Sequence, residues 1–143
     1  VVGECRGGEA LDMLQAMNTG HDGSMTTTHA NSPREAVARL VTLCLMSGLR
    51  LPVQAIREQI ASSVHLVVQQ SRFSDGSRRI THIAEVAGID EHGEVVLRDV
   101  FDFVRTGTGP EGRIEGEFRA SGYLPSFLDA FIAHALVKNG AYL

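Results

Sequence analysis

Near residue 64 the apolar pattern of this chain changes period, and that change limits the folds open to it. Before it, apolar residues recur at helical spacing in three stretches. After it, they take the spacing of strands. The sharpest local signal lies in the helical half. Ser32-Pro33-Arg34-Glu35 fits a capping box, with Ser32 at the cap and Glu35 reaching back to its N–H. Pro33 takes the first helical position, where a missing N–H costs nothing. The helix it opens is predicted to run to about Ser47. Val37, Leu40, Val41, Cys44 and Leu45 form its apolar stripe, and Gly48 ends it. A helix over 9–18 precedes it, with Ala10, Leu14 and Met17 on one face. Another over 53–63 follows, with Val53, Ile56 and Ile60 inward.

Two strands are predicted in the first half. Val1-Val2 reads as the end of a buried strand, and the threonine-rich 24–29 as a short one. In the second half, 64–70, 79–88 and 94–104 read as strands, with a shorter one over 113–119. Asp75-Gly76 is a hairpin turn signal. Thr106 to Gly112 is predicted to be a flexible loop, and Leu124 to Val137 a final helix. The order is β-α-β-α-α, then an antiparallel meander, then a helix.

One domain fits 143 residues. A chain of this size buries roughly two thirds of its unfolded surface. The formal charge of −4 gives a nucleic-acid partner no support. No apolar run reaches the roughly 18 residues of a membrane span, and Val1 to Gly8 lacks a signal-peptide layout. Cys5 and Cys44 form no C-x-x-C pair and read as buried, reduced thiols, as a reducing cytoplasm permits. The chain opens on Val1 as if entering mid-strand, which is expected of a truncated sequence.

Two groups of residues could carry chemistry. Glu4 closes the first apolar strand, and ligands of open α/β sheets sit beyond strand carboxyl ends. A carboxylate there could orient Mg²⁺ or polarise an attacking water. The stretch Thr19 to Asn31 gathers glycines, hydroxyls, His21 and His29. His29 falls beside the capped helix, whose N-terminus carries partial positive charge. Arg6, two residues after Glu4, would share its side of a continuing strand. A metal-hydrolase reading of His21-Asp22 is disfavoured, because the pair lies between glycines without further ligands at helical spacing. Arg34 and Arg57 read as solvated helix positions, and Arg78-Arg79 as surface.

Val2-Gly3-Glu4-Cys5-Arg6-Gly7-Gly8-Glu9-Ala10 resembles the Walker B segment of CpaF-like ATPases of Tad/Flp pilus assembly, in the type II/IV secretion ATPase superfamily. Ala16 to Ser24 and Thr28 to Arg34 resemble the histidine box of that family. The likeness continues through Leu51 to Ser62, Gln69 to Arg72, Asp75 to Ile83 and Gly116 to Ala120. The resemblance implies a partial RecA-like α/β core over 1–125; residues 64–104 are expected to extend its sheet as largely antiparallel strands, and 126–143, which match the family poorly, are expected to form a helical tail. It implies ATP and Mg²⁺ as ligands of the complete protein and assembly as a homo-hexamer. It also implies inner-membrane secretion or pilus platform partners, and a cytoplasmic location at that membrane. Glu4 would be the catalytic glutamate and His29 the histidine near the phosphates. Arg6 and His21 would be nucleotide-binding or subunit-interface candidates. No G-x-x-x-x-G-K-[ST] occurs, and the only lysine is Lys138. These residues alone are therefore expected not to hydrolyse ATP. A non-catalytic remnant acting as an interaction module is the alternative.

Overall fold

The computed structural model describes residues 1–20 and 23–138. Three helices come first: α1 (Glu9–Asn18), α2 (Pro33–Leu45) and α3 (Val53–Ser63). Strands β1 (Leu66–Arg72), β2 (Arg78–Ile89), β3 (Val95–Thr108) and β4 (Ile114–Ala120) follow, with a 3-10 turn (Pro110–Gly112) before β4. The short α4 (Leu128–Ala133) closes the series. The strands form one antiparallel sheet in chain order.

Helices α1 and α2 start for local reasons. Ser32 Oγ accepts from Glu35 N–H at 3.1 Å, as a capping box requires. The Glu35 carboxylate reaches one residue further back than expected and accepts from Asn31 N–H at 3.0 Å. Helix α1 has no side-chain cap. Instead Glu9 accepts from the N–H groups of Arg6 (2.7 Å) and Gly7 (3.0 Å), placing negative charge at the helix start. Gly8 is required by space. A Cβ there would lie 2.7 Å from Ser47 Cα, where the start of α1 meets the end of α2.

The helices bury one continuous cluster that includes Leu11, Leu14, Leu40, Cys44, Ile56 and Ile60. Helix α3 lies against β2 and β3, and Val95 and Leu97 pack on the cluster from the sheet. Two expected core positions fail. Leu45 and Val53 are exposed, while Leu43 is buried. Ala36, Val37, Leu40, Leu43 and Cys44 recur at helical intervals, and Leu45 falls past the edge of that stripe. Val53 sits at the first position of α3, before the helix meets its neighbours. Cys5 and Cys44 are both buried and free. Burial pushes the Cys44 thiol up to about 11, which leaves it protonated and unreactive at neutral pH.

The two strands expected in the first half shrink to one parallel bridge, Val2 to Thr26. Val2 N–H donates to Met25 O and Cys5 N–H to Thr27 O, each at 2.9 Å. Thr27 Oγ1 takes Gly3 O at 2.6 Å, an acceptor that a longer ladder would use. The bridge stands outside the four-stranded sheet. Residues 64–104 thus belong to a sheet of their own and do not extend the first pair.

The second half corrects three more expectations. Strand β3 runs to Thr108, and Gly107 and Thr108 pair with Glu115 and Ile114, so part of the expected loop is sheet. Arg79 is not a free surface group. It donates to Ile114 O at 2.7 Å and lies over the Phe103 ring, 5.2 Å from its centroid. The last helix spans Leu128–Ala133, not 124–137. Pro125 biases the residue before it away from helix, and Ala135, at φ 56°, ends the turn. Tyr123, before the proline, and Ser126, after it, are committed to Glu85.

That commitment is a latch. Glu85 on β2 is 3% exposed. It accepts from Tyr123 OH at 2.7 Å and Ser126 N–H at 3.1 Å, and from Ser126 Oγ. Burial pushes the Glu85 carboxyl up, but the hydrogen bonds from Ser126 and Tyr123 outweigh it and hold the group below its ordinary value. Losing the acceptor strands these donors at about 1–3 kcal/mol. Glu85→Leu is therefore expected to free the tail with the sheet intact, read as faster protease cleavage within 121–138.

A second carboxylate ties the first hairpin to the last strand. Asp75 accepts from Ser77 Oγ (2.6 Å), Ser77 N–H (3.0 Å) and Ile114 N–H (2.8 Å). The Ser77 hydroxyl, with the Ile114 and Ser77 amides, pulls its pKa down to about 2. A depressed folded pKa contributes stability above the unfolded value, near 3.9, that is lost as pH falls through the folded one. The Ile114 amide should therefore lose protection from hydrogen exchange between about pH 4 and pH 2. In Asp75→Ala that protection should be low throughout.

Candidate functional site

Backbone alternation aims Glu4. Its neighbour Cys5 turns fully inward, with Sγ 3.3 Å from Met13 Sδ and 3.4 Å from Thr26 Oγ1. In extended chain the preceding side chain then points outward. Glu4 is 20% exposed and is met by two groups. Arg6 donates to Oε2 through Nε (2.8 Å) and Nη2 (2.6 Å). His29 Nε2 lies 3.1 Å from Oε1. Sequence reasoning set Arg6 on the side of Glu4 and took His29 from a second stretch facing the same site, and the fold brings all three together. His21 lies outside the described residues.

The cluster is open on the side of Arg6 and His29. The Arg6 and His29 side chains are 77% and 84% exposed. The Arg6 hydrogen bond, with the nearby charges of Arg6, His29 and Arg39, holds the Glu4 carboxyl below its ordinary value despite some desolvation. Glu4 is consequently ionised throughout the neutral range. Thr28 Oγ1, one residue before His29, is buried without a hydrogen-bond partner, and an orphaned hydroxyl calls for an explanation. Among the described residues no group of three or more His, Cys, Asp or Glu is placed to hold a metal ion.

Other elements fix the loop carrying His29. It runs from the Thr26 bridge to the Ser32 cap, and Gln69 Nε2 on β1 donates to Ala30 O at 2.9 Å. Sequence reasoning gave no role to Gln69. Arg57, read as solvated, pairs with Glu94 at 2.8 Å beside a small cleft that Arg34 also lines.

An ionised carboxylate, a guanidinium and an imidazole, gathered just past a parallel bridge and beside a capped helix, form the candidate site on a mixed helix and antiparallel-sheet protein. The chain belongs to the family described as type II/IV secretion system protein, which matches residues 1–93. It is 38% identical over 88 residues to the conjugal transfer protein TrbB of Rhizobium radiobacter, covering 62% of this chain and 26% of that protein. It is 38% identical over 82 residues to the type IV secretion system protein PtlH of Bordetella pertussis, covering 55% and 24%. Among solved structures it resembles the VirB11 ATPase of the Brucella suis type IV secretion system, crystallised with sulphate. That match has a TM-score of 0.55 and 33% identity, covering 58% of this chain and 26% of that one. The chain thus spans about a quarter of the length of these relatives. Among the described residues no helix is long and apolar enough to cross a membrane.

Proposed function

We propose that this chain is part of an ATP-hydrolysing secretion motor, with Glu4 orienting the attacking water and His29 facing the terminal phosphate. The observation that carries this reading is the 3.1 Å approach of His29 to Glu4, within a segment that matches the secretion family. Glu4 is ionised, so it can accept a hydrogen bond from water and set its direction. His29 is exposed and can meet a phosphate oxygen. As phosphate is lost it can return to Glu4 and relay that change to a subunit interface. Arg6 holds the other carboxylate oxygen and keeps Glu4 from rotating.

The residues fit one wall of a nucleotide site. Glu4 would face Mg²⁺, while His29 would face phosphate. Bound Mg²⁺ and ATP supply the scissile anhydride and neutralise its charge. The phosphate-cradling loop is not among these 143 residues, so they would not turn ATP over alone. The complete protein would be a homo-hexamer on the cytoplasmic face of the inner membrane. It would work with platform proteins and no nucleic acid, powering Tad/Flp-type pilus assembly or type II/IV secretion. The test is phosphate release by the full-length gene product with ATP and Mg²⁺. Turnover that depends on Glu4 supports the reading, and a full-length product without turnover makes the chain an interaction module.

A further inference from the structure

Gln69 lies on β1 where the register with β2 slips, between Gln69 and Gln70. Such a bulge re-aims a side chain. Gln69 is 8% exposed, and a buried primary amide needs acceptors for its N–H groups. It uses Ala30 O at 2.9 Å and Gln70 O at 3.2 Å. Thr81 Oγ1 donates to the Gln69 carbonyl at 3.4 Å, tying the bulge to β2. The bond to Ala30 therefore joins the antiparallel sheet to the residue directly after His29. One residue further on, Asn31 N–H is held by the Glu35 carboxylate at 3.0 Å. The His29 ring is 84% exposed, so little packing fixes it. Its place beside Glu4 depends on backbone anchored at Ala30 from the sheet and at Asn31 from α2.

We infer that Gln69 is a positioning residue whose buried amide holds the backbone carrying His29 and so makes the sheet a determinant of the Glu4–His29 contact. This rests on the reading that the pair faces a phosphoryl group. A displacement of about 1 Å at such a pair can cost up to a hundredfold in rate. Gln69→Met keeps length and volume but removes the donor. Gln69→Glu keeps the shape and sets an acceptor against the Ala30 carbonyl.

The experiment uses the full-length protein with ATP and Mg²⁺. Histidine Cε1–H NMR, with His29 assigned through His29→Asn, is run beside steady-state turnover, and thermal melts establish that each variant folds. In both Gln69 variants the His29 resonance is expected to move towards its position in Glu4→Gln. The kcat should fall about tenfold while KM stays within about twofold. A folded Gln69→Met or Gln69→Glu protein with an unmoved His29 resonance overturns the inference, whatever its turnover. A moved resonance with unchanged kcat sustains the positioning role and instead removes the catalytic role of His29.

Discussion

In the full-length protein, Glu4→Gln is expected to lower kcat by about 10²–10⁴-fold while leaving nucleotide binding nearly unchanged. The amide keeps the shape of the carboxylate, so it can still accept from Arg6 Nη2 and lie beside His29. What it loses is the negative charge that we propose orients and polarises water. An interaction made chiefly in the transition state lowers kcat and kcat/KM together. Loss confined to KM would make Glu4 a binding group. Unchanged turnover would remove it from the reaction.

Ile60→Ala should cost about 2–5 kcal/mol and lower the melting temperature by roughly 5–15 °C. Ile60 is 0% exposed, in the cluster where all three long helices meet. Few neighbours can move to fill the space left by its missing carbons. Val53→Ala on the same helix should change stability by no more than about 0.5 kcal/mol. Val53 is exposed, and alanine is the better helix former. Paired denaturant melts of the two variants check this. Similar losses from both would mean that α3 packs through its first turn as well.

That contrast shows where periodicity stops informing. Val53 and Ile60 satisfy the same helical spacing, but only neighbouring elements decide which turn is covered. The predicted stripe includes Leu45 and omits Leu43, whereas the structure exposes Leu45 and buries Leu43, because neighbouring elements and not spacing decide which edge of the stripe is covered. Signals within one element read well. The Ser32 cap, the Asp75-Gly76 turn and the starts of α1 and α3 need only residues close in sequence. Long-range hydrogen bonds were illegible. Asp75 to Ile114, Glu85 to Ser126 and Gln69 to Ala30 each join distant residues. The second of these is why the tail could not become the long helix its apolar residues suggested. Glu4 and Arg6 were legible as a pair from their spacing of two, although no strand continues past the Val2 bridge. The place of His29 opposite them came from the resemblance and from its position at a strand end. Its anchorage by Gln69 left no trace in local pattern.

The most direct test is a crystal structure of the full-length protein with Mg²⁺ and a non-hydrolysable ATP analogue. The Glu4 carboxylate and the His29 imidazole should both lie within hydrogen-bond reach of the terminal phosphate or its attacking water, about 3 Å directly or through one water. A nucleotide bound with its terminal phosphate remote from either side chain would contradict the account.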